Sequence, residues 1–322
     1  MNLHQLYGLD FGTMFIKIIR KHLHGENMNE IIIRIKQKCL NLMKRYLPKQ
    51  FVKYRYKRVT GKKLNLQRPK GFNEKLLWLL LYWKKPLVVQ CADKYEVRKY
   101  VEEKGVMEIM PELYGVYTDV NEIEWEKFPK KFAIKCTHGC KYNIICFDKD
   151  ELNIKQSEEL LDKWMHSTFG LSTFEPHYAK MKPRIIAEEF IETTTEDELP
   201  EDYKLYCFNG EPKCILACFG RGDDLVYEFY DMEWNVLQIN KRTNQQRATK
   251  PACLDEMIKY AKILSKDFPF VRVDLYDSLG KPILGEMTFT PGYAMDNNYT
   301  EEGSLWLGSM LELPEKYEGD YN

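Results

Sequence analysis

Apolar residues at Ile32, Ile35, Cys39, Met43 and Leu47, with Lys and Arg between them, have the spacing of a basic amphipathic helix over Met28–Leu47, ended by Pro48. A second apolar run, Glu74 to Trp83, predicts a helix capped by Asn73 and stopped before Pro86. Ala92 to Val101 predicts another, with Asp93 as N-cap, Lys94 in its first turn and Gly105 beyond its end. Lys131–Lys135 and Ile144–Phe147 read as short strands around the polar loop Cys136–Asn143. Ser157–Met165 predicts a helix, Arg184–Ile191 a strand, and Glu192–Asp202 an acidic, Thr-rich linker. Tyr203–Phe208 and Lys213–Phe219 flank Asn209-Gly210, a favourable hairpin turn. Strand-like pieces at Val226–Tyr230 and Val236–Ile239 and an amphipathic helix at Leu254–Leu264 lead into a last hairpin. There Val271, Val273 and Leu275 alternate with Arg272, Asp274 and Tyr276, Asp277–Gly280 makes the turn, and Pro282–Phe289 returns.

That last hairpin carries the most specific chemistry. Strand side chains alternate sides, so Arg272, Asp274 and Glu286 can share one face. Facing carboxylates repel unless a cation lies between them, and an Arg beside them suits a site for a metal and a phosphate chain together. A surface hairpin with a cross-strand Arg–Asp pair is the alternative. The loop 136–143 sets Lys141 and His138 between two strands, where backbone N–H groups and a Lys can cover a phosphate chain. A plain hairpin with a basic tip explains it too, and it is no Walker A motif. Lys94 stands where the helix dipole favours acids, a position it tolerates better by reaching toward an anion.

Composition narrows the class. The chain has 322 residues, enough for two or three lobes, and its 44% hydrophobic and 30% charged residues exclude extensive disorder. No apolar run nears the roughly 20 residues of a bilayer span, and Met1–Arg20 lacks the order of a signal peptide. The expected location is cytoplasmic. Nine cysteines with no C-x-x-C pair read as reduced thiols, and Cys136, His138 and Cys140 lack a second ligand pair at zinc spacing. The net charge of zero hides an asymmetry: residues 1–70 hold 17 Lys and Arg against Asp10, Glu26 and Glu30, a formal +14. Such a leader suits an anionic partner, including peripheral contact with the inner face of a membrane, or docks on the acidic body of its own chain.

The order of these pieces resembles the ATP-grasp superfamily. Arg272-Val-Asp274 followed by Glu286-Met-Thr288-Phe-Thr-Pro-Gly292 is similar to the closing motif R-x-D…E-x-N-x-x-P-G of the D-alanine–D-alanine ligase type. Phe72-Asn-Glu-Lys75, Ala92-Asp-Lys-Tyr-Glu-Val-Arg98, Asp202–Gly210 and Phe268–Tyr276 resemble signatures of the TupA-like ATP-grasp family of teichuronopeptide and capsular-polysaccharide gene clusters. The resemblance spans roughly residues 55–312.

It implies an α+β fold in which two α+β lobes clamp ATP, with a helical basic N-terminal extension. The expected division is 1–70 extension, 71–130 N-terminal subdomain, 131–195 central lobe and 196–322 C-terminal lobe. The resemblance further implies that Lys94 and Lys135, with His138 and Lys141 in the loop, meet the nucleotide phosphates. Glu188, Glu189 and Ile191 would form the adenine hinge, and Glu196 would hold the ribose. Lys204 and Arg272 would neutralise the phosphoryl group in flight, while Asp274, Glu286 and Thr288 would hold Mg²⁺. Thr288 replaces the Asn usual in the superfamily, and a hydroxyl is the weaker ligand.

The expected activity is an ATP- and Mg²⁺-dependent carboxylate–amine ligase. Its acceptor would be an anionic carboxylate, a uronic or amino acid borne on a cell-surface polysaccharide or its precursor, and no nucleic acid is expected as a partner. Two alternatives stand beside it. One is an ATP-grasp kinase acting on a sugar or polyol hydroxyl. The other is a glycosyltransferase using Asp148-Lys-Asp150 as its metal motif.

Overall fold

The computed structural model describes residues 28–167, 169–170, 174–194, 199–220, 225–242 and 246–321. The chain divides into two units, Met1–Arg58 and Val59–Asn322. The first carries α1 (Met28–Tyr46) and most of α2 (Pro48–Thr60). Pro48 thus opens a helix as well as closing one: a first-turn residue has no intrahelical N–H partner to lose, and its fixed φ suits that position.

In the second unit α3 (Phe72–Tyr82) begins two residues earlier than expected. Gly71 is its N-cap, and Glu74 bonds back to the N–H groups of Lys70 and Gly71 at 2.9 and 3.2 Å. Asn73 lies inside the helix, where its amide donates to the Asp296 carbonyl at 2.7 Å. The expected helix over Ala92–Val101 is two short ones, α4 (Pro86–Ala92) and α5 (Val97–Glu103). Asp93 caps the turn between them, accepting from the N–H groups of Tyr95 and Glu96 at 2.8 and 3.1 Å. Lys94 therefore sits on a turn rather than on a helix.

Two antiparallel sheets follow. The smaller, in the order β1-β4-β2-β3, contains β1 (Leu113–Tyr117), β2 (Phe132–Cys136), β3 (Asn143–Cys146) and β4 (Ile185–Glu189). Phe132, Ile134, Ile185 and Ala187 pack with Trp125, Phe128 and Leu161 of α6 (Ile154–Met165). The larger sheet runs β10-β9-β5-β6-β7-β8. Its strands are β5 (Asp202–Phe208), β6 (Glu211–Phe219), β7 (Val226–Tyr230), β8 (Val236–Leu237), β9 (Phe270–Ser278) and β10 (Lys281–Thr288). Val271, Val273 and Leu275 are fully buried on the face covered by α7 (Leu254–Ser265), whose Met257, Ala261 and Leu264 are buried as well. The opposite face is left for the site, and α8 (Glu301–Met310) packs on α3 at its end. Among the described residues no helix is long and apolar enough to cross a membrane.

Candidate active site

The hairpin β9–β10 places its polar residues by means of a bulge. Leu284 pairs with Leu275 and points to the buried face, yet Glu286, two residues on, pairs with Asp274 on the opposite face. Regular alternation would have put Leu284 and Glu286 on the same side. The register shift at Gly285 inserts one residue and re-aims Glu286 and Thr288 into the cleft. Glycine suits that place because a Cβ there would stand 2.6 Å from the Tyr276 ring. Lys204 arrives from β5, directly paired with Asp274, and Tyr206 pairs with Arg272.

The result is a buried charge network. Arg272 grips Asp274 with one edge of its guanidinium, Nε to Oδ1 at 2.7 Å and Nη2 to Oδ2 at 2.6 Å. Lys204 donates to the same Oδ2 at 2.8 Å and also contacts Asp202. Arg272 reaches Glu286 at 3.3 Å and the Thr288 hydroxyl at 3.1 Å, and that hydroxyl donates to Glu286 at 2.7 Å. Burial disfavours the Lys204 ammonium, but Asp274 and Asp202 outweigh it and raise its pKa. Burial likewise opposes the Arg272 charge, and Asp274 overcomes it. Burial raises the Asp274 carboxyl, while Arg272 and Lys204 pull it back. With both cations held charged beside it, Asp274 is the anion that completes them. Glu286 is different: burial would raise it, but Lys94, then Arg272 and Lys204, bring it down to about 2.

Lys94 lies near this network. Its ammonium donates to the Gly139 carbonyl at 2.7 Å, tying the α4–α5 turn to the loop 136–143, and its field is the strongest favourable one on Glu286. Lys141 of the same loop lines a cavity of about 590 Å³ that also meets Lys204, Arg272, Glu286 and Thr288.

Other expected residues lie elsewhere. Lys135 donates to Glu188 at 2.7 Å, with Arg98 of α5 at 3.4 Å from the other carboxylate oxygen, a half-buried pair of cations on a buried carboxylate of the smaller sheet. His138 is turned away from the cavity: it is buried, its Nε2 stands 3.1 Å from the Trp164 carbonyl, and burial lowers its pKa. Glu189 accepts from the Glu112 N–H at 3.2 Å. Ile191 follows the end of β4, and Glu196 lies outside the described residues. Asp148 of the Asp-x-Asp motif is an ordinary cap, accepting from the Asp150 N–H at 3.0 Å and pairing with Lys130 at 2.8 Å.

Asp202 was missed, although its two-residue offset from Lys204 on a strand puts both on one face. Glu175 and Thr290 were missed as well. They are buried, hydrogen-bonded to each other and on the cavity wall, but the stretch carrying Glu175 has no periodic pattern to place it.

The donor set fits a divalent cation shared with phosphate. Two carboxylates on directly paired positions, with lone pairs left after the Arg and Lys contacts, match Mg²⁺, which takes one or two protein carboxylates and completes its shell with water and phosphate oxygens. Among the described residues there is no cluster of three His, Cys, Asp or Glu that could hold a metal.

Residues 74–312 match the family described as TupA-like ATPgrasp. The chain belongs to that family. Its two-sheet architecture is the ATP-grasp fold, and it is an ATP-grasp enzyme. No curated protein matches the sequence. Among solved structures it is similar to D-alanine–D-alanine ligase from Bacillus anthracis complexed with ATP, at 17% identity and TM-score 0.44, over 70% of this chain and 66% of that one. The corresponding Helicobacter pylori enzyme gives 16% identity and TM-score 0.39, over 70% and 60%. The ATP-grasp ligase PsnB, complexed with minimal precursor, Mg and ADP, gives 11% and 0.36, over 67% and 57%. The chain therefore spans about two thirds or less of the length of these proteins.

Proposed function

We propose that this ATP-grasp enzyme is an ATP-dependent carboxylate–amine ligase. The observation that carries the reading is the convergence of Lys94, Lys204 and Arg272 on the paired carboxylates Asp274 and Glu286. Positive groups fixed in a low-dielectric cleft are what a transferring phosphoryl group needs, since catalysis there is largely positioning and charge stabilisation. Asp274 and Glu286 would hold a Mg²⁺, which would offset the negative charge of the phosphate chain.

In the first half-reaction a substrate carboxylate oxygen attacks the γ-phosphorus of ATP. An acyl phosphate forms as the bond to the ADP oxygen breaks. In the second, an amine attacks the acyl carbon, phosphate leaves, and the amine gives up a proton to yield an amide. Arg272 and Lys204 orient the phosphoryl oxygens throughout. Thr288 holds Glu286 through its hydroxyl, which favours the carboxylate form.

Lys135 is assigned to the nucleotide as well. Glu188 keeps Arg98 when Lys135 leaves it, so the buried carboxylate is not stranded. The backbone from Glu188 to Ile191 is the proposed adenine hinge, and Glu196 the proposed ribose contact. The acceptor is proposed to be a uronic or amino acid carboxylate of a cell-surface polymer or its precursor. The basic leader would recruit that anion, or the membrane face where it is made.

The test is ADP release by the full chain with ATP, Mg²⁺, galacturonate or glutamate, and an amine. Release that requires carboxylate and amine together, and is lost in Asp274→Asn, supports the ligase. Release driven by a hydroxyl compound alone would replace it with the kinase.

A further inference from the structure

The cavity lining brings together groups of different chemistry. It includes Arg272, Lys204, Glu286 and Thr288. Among the described residues, neither Lys135 nor the β4 strand lines it. The cavity, of roughly 590 Å³, thus lies away from the proposed adenine hinge. Ligand pockets typically run ~300–1,000 Å³, so this chamber holds a second substrate larger than a single small carboxylate.

Part of its wall is held in place by backbone. Asn240 bridges to Tyr299, Lys241 N–H donates to the Asn298 carbonyl at 2.7 Å, and Thr300 N–H donates to the Ile239 carbonyl at 2.8 Å. That staple sets Asn240 and Arg242 on the cavity beside Asn298 and Tyr227. Tyr227 and Tyr293, 47% and 50% exposed, form part of the walls.

The lining cations differ in one respect. Lys204 and Arg272 each carry a carboxylate at 2.8 Å or closer. Arg242 has no carboxylate within ion-pair distance among the described residues. An exposed guanidinium that lines the chamber together with two amides is suited to a planar anion that it can grip with two N–H groups.

We propose that Arg242 holds a second carboxylate of the acceptor, so that the preferred substrate is a di- or polycarboxylate. One carboxyl group reaches Arg272 and Lys204, and another is anchored at Arg242 with Asn240 and Asn298 beside it. This assignment rests on the ligase reading for its orientation in the cleft.

Calorimetric titration of the full chain, saturated with Mg²⁺ and a non-hydrolysable ATP analogue, tests it without requiring turnover. The probes are galacturonate against digalacturonate, and L-alanine against L-glutamate. In at least one pair the member with the second carboxylate is expected to bind tenfold or more tightly. Arg242→Gln should erase that difference and Arg242→Lys restore part of it. Unchanged thermal stabilisation of Arg242→Gln by ATP and Mg²⁺ would show that the fold and nucleotide end are intact. Equal binding within both pairs by the native protein, or undiminished preference in Arg242→Gln, would overturn the proposal. Discrimination in binding without any ADP release would instead sink the ligase reading and leave the anion subsite standing.

Discussion

Replacing Asp274 by Asn should separate the two tasks that the charge network performs. The carboxylate is 1% exposed and takes three charged hydrogen bonds, two from Arg272 and one from Lys204, all between 2.6 and 2.8 Å. Asn keeps the volume but removes the charge and turns an N–H₂ toward one of the cations. Breaking a buried ion pair from one side costs about 3–5 kcal/mol, because the partner is left charged and unpaired. At ~2–4 °C per kcal/mol for a large domain, the melting temperature should fall by about 6–20 °C. Glu286→Gln should cost less, about 1 kcal/mol: its Thr288 bond at 2.7 Å survives the change and its Arg272 contact is 3.3 Å long. Both variants should lose the thermal stabilisation that ATP with Mg²⁺ gives the native protein. Melting curves with and without nucleotide read all four quantities. An Asp274→Asn protein melting within about 2 °C of native, or equal losses in both variants, would refute the assignment of Asp274 as the anion completing Lys204 and Arg272.

Three further outcomes follow from particular contacts. Burial pushes His177 down to about 3, and neither ring nitrogen has a partner among the described residues. The unfolded chain binds that proton near pH 6.5 and the folded chain does not, so stability should fall on acidification between those values by up to about 1.4 kcal/mol per pH unit. His177→Phe, which can pack on Tyr178 and Tyr321, should flatten this limb of a melting-temperature profile between pH 7 and 4; an unaltered slope would clear His177 of the effect. Gly292→Ala should cost about 1–2 kcal/mol, since φ is +57° and an added Cβ would stand 2.6 Å from that of Asp296; a melting curve matching native would contradict the strain. Lys135→Met should raise the KM for ATP tenfold or more while the protein stays folded. A normal KM with a lowered melting temperature would make Lys135 only the structural partner of Glu188.

Much of the larger sheet was legible because its strands carry a period-two pattern and its turns carry Asn209-Gly210 and Asp277–Gly280. The identity of the site face was legible on β9, where Arg272 and Asp274 alternate with buried Val and Leu. It was not legible on β10: Leu284, Glu286 and Thr288 share one parity, and only the bulge at Gly285 separates the leucine from the two polar residues. Nor could pattern show that Asn73 would yield its capping role to Gly71, because the choice was made by the Asp296 carbonyl more than two hundred residues away. β1 escaped notice because Leu113–Tyr117 is short, half-buried and interrupted by Gly115. His138 and Lys141 looked equivalent in one polar loop. The chain turns through a positive φ of 62° at Lys141, and only Lys141 lines the cavity, while His138 stays buried against Trp164.

The central claim is that a carboxylate oxygen of the acceptor attacks ATP. The most direct measurement uses a carboxylate substrate labelled with ¹⁸O in both carboxyl oxygens, turned over with ATP, Mg²⁺ and an amine, with the released phosphate read by mass spectrometry. Ligation through an acyl phosphate predicts one ¹⁸O in each phosphate and one retained in the amide. Unlabelled phosphate, or phosphate retained on a hydroxyl of the product, would contradict the account.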